Sequence, residues 1–264
     1  MRRLFIFSLI HFLLAFQGNA DLWINDAEDI TEEFLTETGS SIHYTEHVAH
    51  IKHIFQQMPV RTFIEFGVGF STKFFIDNSE KVISVEFITP GSGPEWFQYC
   101  LELYRDYPNW HPIAYFSGPG LVKSWAPYKY EGADSVYHAC AYQPAHLASY
   151  APIDPSFLDD LDHFIALQAT LEPLDVAFVD AGVCIRGDLV QLLFNKVPII
   201  VAHDVAPKSR RHLQDVYGYG RVRHPENYVE IFVPFGMGTA FWIKNEEPYL
   251  TLIEDLKAYA ASRS

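Results

Sequence analysis

The sequence is poor in basic residues, in cysteine and in long apolar segments. It has 19 lysine and arginine residues against 33 aspartate and glutamate residues, a formal charge of −14. Nucleic acids and anionic membranes bind basic protein faces, so this charge argues against both as partners. Three cysteines are too few for a disulfide framework. The chain has 264 residues, 49% of them hydrophobic, which predicts one globular domain with a sizeable core.

The first 20 residues have the three parts of a secretory signal peptide. Arg2 and Arg3 precede an apolar stretch from Leu4 to Phe16, and a small-residue cleavage site ends at Ala20. This stretch is shorter than the roughly 20 residues of a membrane-spanning helix, and no later run is long enough to span. We therefore predict cleavage after residue 20 and export of residues 21–264 to a secreted, periplasmic or lumenal destination. A retained N-terminal membrane anchor is the alternative.

Strand and helix patterns alternate along the rest of the chain, which predicts a doubly wound α/β sheet of seven strands. Two strands near the end, Tyr228 to Pro234 and Thr239 to Lys244, are joined by too few residues for a crossover helix, so the last strand must be antiparallel. Ligands of such sheets bind at the carboxyl ends of the strands. The other predicted strands are Thr62 to Phe66, Val82 to Phe87, Ile113 to Phe116, Asp175 to Asp180 and Pro198 to His203.

A long segment from Ser117 to Leu171 interrupts the alternation. It is rich in tyrosine, proline, alanine and histidine, and it has a helical pattern only near its end. Connections longer than about 15 residues are uncommon without a function. We therefore expect an insertion at about residues 117–171 that forms a lid or a substrate pocket, although no motif in it identifies a substrate.

A glycine turn follows the first strand in the segment FIEFGVGFSTKFF, residues 63–75. Gly67 and Gly69 allow a tight turn and a close approach of a ligand to the backbone. The dinucleotide fingerprint needs glycine at position 72, where this chain has Thr72, so a nicotinamide oxidoreductase is disfavoured. Glu65 stands two residues before the turn, where it would repel a pyrophosphate but suit a cationic ligand. Glu86 ends the second strand, where an acid accepts the hydroxyls of a ribose.

These residues resemble the class I S-adenosyl-L-methionine (SAM)-dependent methyltransferases. The first motif of that family has the form E-x-G-x-G, its second strand ends in an acid, and its last strand is reversed. The turn is also similar to the GxGxST variant of several O-methyltransferases. The resemblance runs from about Arg61 to Lys244, and it implies a SAM site formed by Glu65, Gly67, Gly69, Ser71, Thr72, Glu86, Ser117, Gly118 and Asp180.

Asp180, His203 and Asp204 fall at the ends of two further strands, so we expect them to lie together as the catalytic residues. Asp180 and Asp204 could hold a divalent cation, Mg or Mn, that lowers the pKa of a substrate hydroxyl. Catechol-type relatives use acids at these ends, but His203 departs from their pattern. Without a metal, His203 could act as a general base. The alternative without catalysis is that His203 is a buried core residue and that Asp204 caps the loop that follows.

The resemblance implies a transferase, a SAM-dependent methyltransferase that methylates an oxygen of a small molecule or glycan. The export signal conflicts with it, because SAM is made in the cytosol. The alternative is therefore an exported, non-catalytic binding or effector protein on a methyltransferase-like fold. Arg186 and Asp188 are interpreted as a helix-start pair, with substrate binding by Arg186 as the alternative. The sequence does not indicate an oligomeric state.

Overall fold

The computed structural model of the chain describes residues 42–88, 94–117, 135–139, 155–181, 185–205, 217–235 and 237–263. The predicted signal peptide, Gly118, Cys140 and Cys184 lie outside these residues, as does most of the predicted insertion. In the part that is described, no helix combines the length and the apolar character that crossing a membrane requires.

The described helices and strands follow the predicted alternation, with boundaries that differ by a few residues. The strands are Val60–Phe66 (β1), Ser79–Ile88 (β2), Trp110–Ser117 (β3), Ser135–Ala139 (β4), Val176–Val179 (β5), Ile199–His203 (β6), Tyr228–Val233 (β7) and Thr239–Lys244 (β8). The helices are Ile42–Gln57 (α1), Thr72–Asn78 (α2), Pro94–Tyr104 (α3), Pro155–Leu171 (α4), Arg186–Leu193 (α5) and Leu250–Ser262 (α6).

The strands form one sheet in the order β4-β3-β2-β1-β5-β6-β8-β7. Strand β8 is antiparallel to both of its neighbours, and the other neighbouring strands are parallel. The predicted seven-stranded, doubly wound arrangement with a reversed last strand is therefore confirmed. It is extended by β4, which pairs with the outer edge of β3 and lies within the predicted insertion.

Helices cover both faces of the sheet and divide the core in two. Helices α1, α2, α3 and α6 pack on one face, and α4 and α5 pack on the other. Because helices bury both faces of the sheet, the central strands are almost continuously apolar. Helix α4 contributes fully buried Phe157, Leu161 and Ile165 to the second core, so the end of the predicted insertion belongs to the scaffold of the sheet.

The strand register determines which residues meet at the carboxyl edge. Phe66 of β1 pairs with Val179 of β5, and Val179 pairs with Ala202 of β6. The residues that follow these three positions are Gly67, Asp180 and His203. They consequently come side by side at one edge of the sheet.

Candidate active site

The two glycines of the turn have different structural roles. Gly67 has a φ of +105°, and a Cβ atom added to it would lie 2.6 Å from the Asp180 carbonyl oxygen. Its amide donates to the Val85 carbonyl at 2.8 Å, and the Asp180 amide donates to the Phe66 carbonyl at 2.9 Å. A Cβ atom on Gly69, in contrast, would have no described atom within 4 Å. Gly67 is therefore required by the packing of β1 against β5, whereas no described residue crowds the Cβ position of Gly69.

Glu65 lies beneath the turn and is fully buried. Its Oε1 atom accepts hydrogen bonds from the hydroxyls of Thr72, at 2.7 Å, and Ser84. The Thr72 hydroxyl oxygen in turn accepts the Gly69 amide at 3.0 Å, and the Trp110 indole donates to Ser84. Burial raises the pKa of Glu65 to about 8, so the carboxyl is mostly protonated at neutral pH. In this position Glu65 fixes the conformation of the turn.

Glu86 approaches the turn from the neighbouring strand. Its Oε2 atom accepts the Val68 amide at 2.9 Å, and the residue is 8% exposed. Burial raises its pKa to about 8. Ser71 and Thr72 are buried at the start of α2, and Ser117 ends β3. The structure thus brings Glu86 to the glycine turn, as the sequence predicts.

Helix α3 supports the turn through two aromatic side chains that the sequence analysis missed. The Trp96 indole donates to the Val68 carbonyl at 2.7 Å, and the Tyr104 hydroxyl donates to the Gly69 carbonyl at 2.8 Å. The Phe70 ring packs edge-on against Trp96. Helix α3 therefore holds the carbonyl groups of Val68 and Gly69.

Arg186 joins the two aspartates at the ends of β5 and β6. Its guanidinium lies 2.8 Å from a carboxylate oxygen of Asp180 and 2.8 Å from one of Asp204. Its Nε atom donates to the Ala181 carbonyl at 2.6 Å, and the Tyr217 ring stacks 4.0 Å from the guanidinium. Burial alone would raise the pKa of Asp180, but the positive charge of Arg186 holds it well below its usual range. Arg186 was predicted as part of a helix-start pair with Asp188, and its contact with both aspartates was not predicted. Asp188 pairs instead with Arg221 at 3.0 Å.

His203 lies between the same two carboxylates. Its Nδ1 atom is 3.5 Å from Asp180 Oδ2 and 3.5 Å from Asp204 Oδ1, and the Tyr219 hydroxyl donates to its carbonyl at 2.8 Å. Asp204 has a φ of +58°, which turns the chain sharply after β6. The three predicted catalytic residues are therefore brought together.

A further histidine that the sequence analysis missed, His47 of α1, contacts His203. The two ring centroids are 4.5 Å apart, and the His47 ring stacks on Phe178 at 4.7 Å. Burial, followed by the proximity of His203, lowers the pKa of His47 well below its usual range. The only sequence signal was the spacing of His47, His50 and His53 every three residues along α1.

No family model matches the sequence, and no curated protein matches it. Among solved structures, the chain is similar to the methyltransferase PaMTH1 of Podospora anserina bound to S-adenosylhomocysteine (SAH), with 12% identity over 82% of this chain and 89% of that one, and a TM-score of 0.45. A methyltransferase from Geobacter sulfurreducens is 12% identical over 90% of this chain and 97% of that one, with a TM-score of 0.40. The MycE methyltransferase of mycinamycin biosynthesis, in complex with Mg and SAH, is 13% identical over 84% of this chain and 54% of that one, with a TM-score of 0.36. At these identities the similarity concerns the fold alone.

Proposed function

We propose that this chain is a SAM-dependent methyltransferase that acts on an oxygen atom. The observation that carries the proposal is the construction of the β1 turn. No described atom lies within 4 Å of a Cβ placed on Gly69, Glu86 accepts the neighbouring Val68 amide, and Asp180 borders Gly67. A ligand with a ribose and a cationic, amino-acid-like end matches an open turn flanked by acidic side chains.

The residues that would activate the acceptor hydroxyl are Asp180, His203 and Asp204. The substrate oxygen attacks the methyl carbon in line, the new carbon–oxygen bond forms as the carbon–sulfur bond breaks, and the sulfonium becomes a thioether. In a reaction without a metal, the hydroxyl proton passes to His203. Both aspartates lie 3.5 Å from the Nδ1 atom of His203, so they would stabilise the imidazolium that forms.

The proposal also includes the chemical class of the acceptor. The acidic composition argues for a small molecule or glycan rather than a nucleic acid. The signal-like N-terminus adds export to the proposal, and with it the need for SAM in the destination compartment. The predicted pocket lies mainly in residues 118–134 and 140–154, which fall outside the described residues.

Calorimetric titration of the purified protein with SAM and SAH tests the proposal. Replacing Glu86 by alanine should weaken SAM binding by about 10-fold to 100-fold, because a buried ribose hydroxyl left without its partner costs about 1–3 kcal/mol. Glu80→Ala is the matched control, since Glu80 lies on the same strand but is exposed at its other end.

Two results would contradict the proposal. One is the absence of SAM and SAH binding by folded wild-type protein, which would favour the exported binding protein. The other is equal SAM affinity in the Glu86→Ala and Glu80→Ala variants, which would place the ligand elsewhere.

A further inference from the structure

His47 is a buried polar side chain without a visible function. It is fully buried, and neither of its ring nitrogens has a hydrogen-bond partner among the residues that the structure describes. A buried donor or acceptor that lacks a partner costs about 1–3 kcal/mol. Helix α1 could carry an apolar residue here at no such cost. The position therefore points to a ligand for the imidazole.

The side chains around His47 supply the remaining donors of a metal site. One ligand atom each of His47, Asp180 and His203 lie within 4.8 Å of one another. The three residues come from α1 and from the ends of β5 and β6. Three separate elements thus converge on one point beside the glycine turn. Asp204, which the sequence analysis paired with Asp180 as a metal ligand, is not in this group of donors.

Arg186 explains why Asp180 can serve in this group. The guanidinium binds Asp180 Oδ1 and Asp204 Oδ2, so Asp180 Oδ2 is the oxygen on the side of His203. Carboxylates that bind metals are commonly held in this way by a hydrogen bond to their other oxygen. Arg186 therefore fixes the direction in which Asp180 presents its other oxygen, Oδ2, towards His203.

The chemistry and charge of the group indicate the class of ion. Two imidazoles and one carboxylate suit first-row transition metals better than Mg, which prefers an all-oxygen shell. Asp180, Asp204 and Arg186 together carry a formal charge of −1. A divalent ion changes this charge to +1, which an ionised acceptor oxygen would neutralise.

We propose that His47, Asp180 and His203 bind one divalent first-row transition-metal ion. The inference deepens the proposed function, because it places the ion beside the site where the acceptor hydroxyl would lie. With this ion in place His203 would be a ligand rather than a base, and the ion would supply the Lewis acidity that lowers the pKa of an acceptor hydroxyl.

Titration of the purified full chain with Co²⁺, followed by the visible absorption of the bound ion, tests the site. We expect one Co²⁺ per chain and an affinity that falls at least about 10-fold in His47→Gln. His50→Gln is the matched control, because His50 lies one turn along α1 and is equally buried, with its Nδ1 bonded to Thr239 at 2.9 Å. Equal Co²⁺ affinity in the two variants would overturn the proposal.

A second measurement requires no variant. X-ray absorption of wild-type protein loaded with one equivalent of Zn²⁺ should show two imidazole ligands, and any smaller number would overturn the site. Both experiments omit SAM, and the SAM titration is repeated with a chelator. A failure of the metal site therefore leaves the SAM result standing, and a failure of SAM binding leaves the metal result standing.

Discussion

Replacing Gly67 by alanine should destabilise the protein severely, whereas the same change at Gly69 should not. The two positions are two residues apart in one turn, and each substitution adds one methyl group. They differ in their surroundings. Gly67 has a φ of +105°, with the Asp180 carbonyl oxygen, its carbon and the Ala181 Cα between 2.6 and 2.9 Å from an added Cβ.

The magnitude follows from two separate costs. A side chain held in a left-handed conformation costs about 1–3 kcal/mol. Overpacking in a tightly packed region adds about 1–3 kcal/mol. The backbone after β5 cannot retreat freely, because the Asp180 amide is bonded to the Phe66 carbonyl at 2.9 Å. The expected loss is therefore about 2–6 kcal/mol, a large part of the roughly 5–15 kcal/mol that stabilises a folded protein.

Urea unfolding followed by far-ultraviolet circular dichroism measures the difference. With an m-value of about 3 kcal/mol per molar urea, Gly67→Ala should lower the unfolding midpoint by about 0.7–2 M. Gly69→Ala should change the free energy of unfolding by no more than about 0.5 kcal/mol. Its added methyl group would occupy the space proposed for SAM, so it should weaken SAM binding instead. Equal midpoints for Gly67→Ala and the wild type would refute the described packing of β1 against β5.

Two further predictions concern buried charge. The pKa of Glu65 is about 8 in the folded protein, above the roughly 4.3 of a carboxyl in the unfolded chain. Its stabilising contribution is therefore complete below the unfolded value and is lost as the pH rises towards 8. The stability advantage of wild type over Glu65→Gln should shrink between pH 5 and pH 8 in urea unfolding, and a constant difference would contradict the assignment. Arg186→Met should lower the free energy of unfolding by about 3–5 kcal/mol, because it leaves the charges of Asp180 and Asp204 without a partner. Thermal unfolding would show this as a lower midpoint. An unchanged midpoint would mean that Arg186 does not bind the two aspartates in solution.

Much of the fold was predictable because it depends on local patterns. Short apolar runs separated by helical patterns indicate buried parallel strands, and the four-residue link after Pro234 excludes a crossover helix. Strand β4 was not predictable in the same way. Its five residues pair with the open edge of β3, and that partner lies about 20 residues earlier in the chain. Its strand conformation depends on that pairing rather than on a pattern of its own.

The site was predictable only in part, for a related reason. The glycine spacing and the acids at strand ends appear in the sequence, and the parallel order of the strands brings Asp180 and His203 together. His47 carries no such signal, because it lies on α1, 133 residues before Asp180. Arg186 likewise appeared to be a helix-start residue. Its contact with Asp180 and Asp204 depends on how the chain folds after β5, which no sequence pattern shows.

The sequence by itself determined the alternating elements, the reversed last strand, and a glycine turn after the first strand. These properties depend on residues within a few positions of one another. The tertiary structure alone decided that Glu65 supports the turn from beneath, that Arg186 joins two aspartates, and that His47 faces His203. These contacts depend on which strands are neighbours and on their register. That choice minimises the free energy of the whole core rather than that of any one segment.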